Sequence, residues 1–124
     1  MKFLDTNIIA YAFYYNQHTL NCQKIIKEGN TLTNTFALAE AFEIIRRETN
    51  QEIAEKSLIT ILRYNIEVVE IDVKIFYDVI KKIKNHNLKI YDMIHYICAL
   101  QNECESIVSY DTDFDNLDIP REEP

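Results

Sequence analysis

Ile107-Val108-Ser109-Tyr110-Asp111-Thr112-Asp113-Phe114-Asp115 is the stretch from which the rest of the chain is read. Its opening residues are β-branched and apolar, which marks residues 106–109 as a short strand of the buried kind. The run then turns abruptly into acids on alternate positions, Asp111, Asp113 and Asp115. Like charges crowded into one turn repel each other, and a cation relieves that repulsion. Taken singly, the stretch has a plainer reading as a solvated acidic turn.

The N-terminus repeats the theme. Lys2-Phe3-Leu4 reads as a strand that stops at Asp5, followed by Thr6 and Asn7. Asp, Thr and Asn all cap helices, so capping is the competing reading. Between these two ends, short β-type runs alternate with longer helical ones. Helices are expected at residues 7–14, 19–28, 35–47 and 91–101, with a strand at 31–33 and another at 66–71. Phe36, Ala39, Phe42 and Ile45 mark the apolar side of the 35–47 helix. Thr49-x-x-Glu52 fits a capping box opening a helix whose apolar side is Ile53, Leu58, Ile59 and Leu62. Asp72 can cap a helix with the stripe Val73, Phe76, Tyr77, Ile80 and Ile83.

This alternation argues for an α/β fold: a three-layer α/β/α domain with a short-stranded, mostly parallel central sheet. Gly29 is the lone glycine and Pro120 and Pro124 the only prolines, so no linker divides the chain. One domain over residues 1–120 and a flexible tail at 121–124 are expected. In open parallel sheets ligands collect beyond the carboxyl ends of the strands, where Asp5 and Asp111 stand.

Two further acids stand out. Glu40 lies inside the apolar stretch Phe36-Ala37-Leu38-Ala39-Glu40-Ala41-Phe42, facing either solvent or a polar pocket, because burial without a partner is costly. Asp92 falls in the first turn of an apolar helix, where the backbone dipole favours an acid in any case. His95, three residues on, could share a metal with Asp92, but the reading preferred is a partly buried helix residue. His18 and His86 read as loop residues.

The order and spacing of these acids resemble the PIN domain family, and within it the small single-domain VapC-type toxins. The residues that carry the resemblance are Leu4-Asp5-Thr6-Asn7 after a hydrophobic strand, Glu40 in a following helix, Leu88-Lys89-Ile90-Tyr91-Asp92 opening a late helix, and Ser109-Tyr110-Asp111-Thr112-Asp113-Phe114. Ser109 departs from the family's usual threonine but keeps the hydroxyl. The likeness spans essentially the whole chain. It implies an endoribonuclease that needs Mg²⁺ or Mn²⁺ and hydrolyses RNA phosphodiester bonds. It implies Asp5, Glu40, Asp92 and Asp111 as the catalytic set, with Asp5 and Asp92 as principal metal ligands, Glu40 and Asp111 binding directly or through water, and Asp113 as an additional ligand. Asn7 and Ser109 would hold the carboxylates in place, and Arg46 and Arg47 could reach RNA or a partner. A toxin would bring a small antitoxin and a second copy of itself as partners; an RNA-processing PIN nuclease that is not a toxin is the alternative. The residue types agree independently, since hard divalent cations prefer carboxylate oxygens to Cys or His.

Bulk properties narrow the remaining classes. With 13 Lys and Arg against 20 Asp and Glu, the net charge of −7 disfavours a protein that coats nucleic acid through charge alone. An acidic enzyme acting on RNA needs cations at its site. Cys22, Cys98 and Cys104 form no Cys-x-x-Cys pair and are expected as reduced thiols. No apolar run reaches the roughly 18 residues that span a bilayer, and the N-terminus does not read as a secretory signal. A soluble, cytoplasmic protein without a membrane partner is therefore expected. A phosphoacceptor receiver domain would need adjacent acids after the first strand and a late lysine, neither of which is present. A non-catalytic interaction module would not need the full acidic set.

Overall fold

The computed structural model describes residues 1–124. The chain runs β1 (Lys2–Leu4), α1 (Thr6–Tyr11), α2 (Thr19–Glu28), β2 (Thr31–Asn34), α3 (Thr35–Glu48), α4 (Gln51–Arg63), β3 (Ile66–Val69), α5 (Val73–Lys82), α6 (Ile90–Gln101), β4 (Ser106–Val108) and β5 (Arg121–Glu122). Single 3₁₀ turns at Ile83–Asn85 and Thr112–Phe114 join the later elements. The five strands form one sheet in the order β3-β2-β1-β4-β5, and every pair is parallel.

Alternation along the strands splits the core in two, because successive side chains point to opposite faces. Phe3, Leu32 and Ile107 pack with Ile75, Val79, Met93, Tyr96 and Ile97 of α5 and α6. Leu4 and Val108 pack on the other face with Ile8, Ile9, Ala37, Ala41, Ile45 and Ile61 of α1, α3 and α4. Three layers result, with helices on both faces of the sheet, as the strand–helix alternation predicts.

Several local details differ from the sequence reading. α1 ends at Tyr11 rather than Tyr14. The Asn16 amide donates to the carbonyls of Tyr11 and Tyr14 at 3.0 and 2.7 Å, and Thr19 Oγ1 donates to Tyr14 at 2.7 Å. These side chains take over acceptors that a longer helix would have used. The cap of α4 is Asn50, whose side chain accepts from the Ile53 N–H at 2.9 Å. Thr49 instead ends α3, with its hydroxyl on the Ile45 carbonyl, and Glu52 pairs with Lys56.

The buried seam of α3 is Ala37, Ala41 and Ile45, while Ala39 is exposed. On α5 the core contacts come from Ile75 and Val79. The stripe Val73, Phe76, Tyr77 and Ile80 faces outward, Val73 being 86% exposed. Ile53, Ile59 and Leu62 of α4 also lie at the surface. Helical periodicity identifies an apolar stripe but not the surface it meets.

The expected flexible tail at 121–124 is corrected at its first two residues. Arg121 and Glu122 form β5, in register with Ile107 and Val108. Arg121 donates to the Ser109 carbonyl at 2.8 Å and to Asp115 at 2.7 Å, and Glu122 pairs with Lys2. The strand survives at the sheet edge because β4 would otherwise leave its outer backbone groups unpaired. No helix is long and apolar enough to cross a membrane.

Candidate metal centre

Strand register builds the first half of the site. Leu4 lies opposite Val108 in the parallel β1–β4 pair, so the next residues, Asp5 and Ser109, emerge side by side. Neighbouring strands leave β1 in opposite directions, β2 on one side and β4 on the other. Such a reversal opens a crevice at the carboxyl ends. Asp5 is 4% exposed. Its Oδ2 accepts from Ser109 Oγ at 2.7 Å, and its Oδ1 accepts from the Thr6 N–H at 2.8 Å, capping α1. Burial pushes the Asp5 carboxyl above the usual carboxylate range, and the hydrogen bonds from Ser109 and Thr6 act in the opposite sense.

The loop after β4 brings in the second half. Ser109 Oγ also accepts from the Asp111 N–H at 2.9 Å, and Asp111 Oδ1 accepts from the Asp113 N–H at 2.9 Å. The Tyr110 ring stacks on His18 with centroids 3.9 Å apart, anchoring the loop from its other side. Asp92 projects from the first turn of α6 toward the same place. Carboxylate oxygens of Asp92, Asp111 and Asp113 all lie within 4.8 Å of one another. The Asp92 carboxyl is pushed up to about 6, first by burial and then by the negative charges of Asp5 and Asp111.

This donor set fits a hard divalent cation. Its oxygens come from short carboxylate side chains, with no thiolate among them, and burial and neighbouring negative charge make the ionised Asp92 costly until positive charge arrives. Asp92, Asp111 and Asp113 would hold the ion, with Asp5 beside them.

Glu40 is not one of that trio and is held by its own set of donors. Thr6 Oγ1 donates to Glu40 Oε1 at 3.0 Å, and His95 Nε2 lies 3.0 Å from the same oxygen. His95 is 1% exposed, and its Nδ1 lies 3.0 Å from the Asn34 amide nitrogen. Asn7 is half-buried in the first turn of α1, but the hydrogen bonds that hold Asp5 come from Thr6 and Ser109. Arg46 and Arg47 lie exposed in the last turn of α3, paired with Glu43 and Glu48.

Sequence reasoning passed over Thr6 and Asn34 as members of the site, and it weighed His95 as a metal partner of Asp92 but preferred a partly buried helix residue. Thr6 was adjacent to a named acid, and His95 stands one helical turn from Asp92. Asn34 carried only a helix-cap signal.

A cluster of acids gathered at the carboxyl ends of adjacent parallel strands, in a three-layer α/β/α domain, defines the class. Residues 2–120 match the family model described as PIN domain, and the chain belongs to that family. Among solved structures, VapC20 of Mycobacterium tuberculosis, described as a toxin that cleaves the sarcin-ricin loop, aligns over all of both chains with a TM-score of 0.86 at 12% identity. A toxin–antitoxin complex from Klebsiella pneumoniae aligns over 95% of this chain and 93% of that one, with a TM-score of 0.73 at 14% identity. VapBC2 from Rickettsia felis, bound to a DNA fragment from its promoter, aligns over 98% and 97%, with a TM-score of 0.71 at 17% identity. These likenesses establish a shared fold. Comparison with curated proteins gave no match.

Proposed function

We propose that this protein is an endoribonuclease that uses Mg²⁺ or Mn²⁺ to hydrolyse RNA phosphodiester bonds, and that it acts in the cytoplasm as the toxin of a toxin–antitoxin pair. The observation that carries the reading is the meeting of Asp92, Asp111 and Asp113 within 4.8 Å, beside buried Asp5, in a PIN domain. The solved neighbours described as a cleaving toxin and as toxin–antitoxin assemblies support the toxin reading.

A bound divalent cation supplies Lewis acidity, lowering the pKa of water beside it and offsetting charge that grows on the phosphoryl oxygens. The protein's part is to place its acids. Asp92, Asp111 and Asp113 hold the ion. Ser109 and Thr6 keep Asp5 in one rotamer at the floor of the crevice. Glu40, with Oε1 occupied by Thr6 and His95, keeps Oε2 for a water or for the ion. The net charge of −7 makes the apo surface unfavourable for RNA, so cation loading also helps the substrate approach.

The outward stripe Val73, Phe76, Tyr77 and Ile80 on α5 supports a second copy of this chain as a partner, because a contiguous apolar face gains by being covered. A small antitoxin that enters the acidic crevice is the other partner proposed. Arg46 and Arg47 remain candidates for RNA or partner contact.

The test is cleavage of single-stranded RNA with Mg²⁺, with Mn²⁺ and with EDTA. Wild type should cut only with the cation, and Asp5→Asn and Asp92→Asn should not cut. Equal cleavage by all three proteins would sink the assignment. Growth arrest on expression, relieved by the gene product encoded beside it, would separate a toxin from a processing nuclease.

A further inference from the structure

Asn34 ends β2 and caps α3. Its Oδ1 accepts from the Ala37 N–H at 2.8 Å, which fixes which way the amide points. The Nδ2 group therefore faces His95, 3.0 Å from Nδ1. An amide NH₂ only donates, so Nδ1 of His95 must be the bare, accepting nitrogen. The ring proton then sits on Nε2, which points at Glu40 Oε1 at 3.0 Å. A neutral imidazole has one donor and one acceptor, and both are assigned.

We infer that His95 is a positioning residue for Glu40: Asn34 holds it as the Nε2–H tautomer, and with Thr6 it clamps one carboxylate oxygen so that the other serves the cation site. The inference rests on the nuclease reading for its consequence, but not for its geometry.

The placement explains why a fully buried histidine is kept in an otherwise apolar helix. His95 is one turn beyond Asp92 on α6, whereas Glu40 and its cap Asn34 belong to α3. The ring thus ties together the helices that carry two of the acids. Thr6 does the same from α1, joining Asp5 through its N–H and Glu40 through its hydroxyl. Glu40 is about one third exposed, so without these donors its flexible side chain would sample rotamers away from the crevice. Partners that orient a ligand in this way typically change metal affinity by about 10–100-fold when lost.

The first test reads the tautomer directly. The chain has three histidines, so ¹⁵N-labelled protein without metal gives an assignable histidine spectrum, with His95→Gln identifying the signal. A proton on Nε2 and a bare Nδ1 are expected at neutral pH. A proton on Nδ1 would overturn the inference.

The second test titrates Mn²⁺ alone by calorimetry. His95→Leu should weaken binding by about tenfold or more. His95→Gln, which keeps an N–H donor, should stay within about threefold, on the scale of ordinary non-additivity. In the Glu40→Gln background, His95→Leu should add no further loss. A folded His95→Leu protein with unchanged affinity, or full additivity with Glu40→Gln, would refute it.

With RNA, His95→Leu should lower kcat while leaving KM within the same threefold; a change confined to KM would count against positioning. If wild type binds Mn²⁺ but leaves RNA intact, the nuclease reading fails, and the tautomer and affinity results still decide the role of His95.

Discussion

The Ser109 hydroxyl donates to Asp5 Oδ2 at 2.7 Å, across two parallel strands whose register sets the residues abreast. Ser109→Ala removes that donor and leaves a buried carboxyl short of a partner. A loss of about 1–3 kcal/mol in unfolding free energy is expected by urea titration, because an unmet buried polar group costs that much. Mn²⁺ binding should weaken in parallel, and Ser109→Thr should retain both. A Ser109→Ala protein as stable as wild type would show that the bond contributes nothing.

Asp92 is expected to oppose folding until a cation arrives. In EDTA at neutral pH, Asp92→Asn should raise the melting temperature, since it removes one charge from a crowded set. The gain should be on the order of 1 kcal/mol once solvent screening at a half-exposed site is allowed for, or roughly 3–6 °C. The same substitution should abolish most of the rise in melting temperature that Mn²⁺ produces in wild type. A variant that melts lower without metal, or that keeps the full Mn²⁺ response, would contradict this placement.

The raised Asp92 value has a definite sign in pH. Its ordinary value is 3.8, and the fold holds it at about 6. Between those values the folded protein keeps a proton that the unfolded chain has lost, so this group's contribution makes the metal-free protein less stable as pH rises through the window. The difference in stability between Asp92→Asn and wild type should therefore grow from pH 4 toward pH 6 and level off above it. Mn²⁺ affinity should climb over the same interval as the carboxyl ionises. A difference independent of pH would remove the basis for the shift.

Arg121 links the chain end to the site loop through the Ser109 carbonyl and Asp115. Arg121→Ala should cost on the order of 1 kcal/mol, because its partner Asp115 is nearly half exposed and solvent screens the pair. Amide exchange should quicken across the 109–115 loop more than in α4. Removing residues 121–124 should have at least as large an effect. Unchanged exchange in the loop would mean that β5 is ornamental to the site.

Much of the fold was legible in composition and periodicity. Short β-branched runs alternating with helical ones required a covered parallel sheet. Acids placed immediately after β1 and β4 marked the end of the sheet where a ligand would sit. Capping chemistry was readable at Asp72, whose side chain accepts from the Ile75 N–H as expected. It was misread at Thr49, because Asn50 competes for the same helix start and won. The stripe on α5 was recognised by its spacing, but the surface it faces was not legible there. Period alone does not tell which of two partly apolar faces meets the sheet.

By itself, then, the sequence determined the layer architecture, the parallel sheet and the identity of the acids at its carboxyl edge, because each depends on residue type and local spacing. Tertiary structure decided which carboxylates meet: Asp113 joins Asp92 and Asp111 within 4.8 Å, whereas Glu40 is drawn to His95 and Thr6. It also decided that residues 121–122 become a strand. These outcomes turn on strand order, register and helix rotation, which are set by packing between segments far apart in the chain and leave no mark in local pattern.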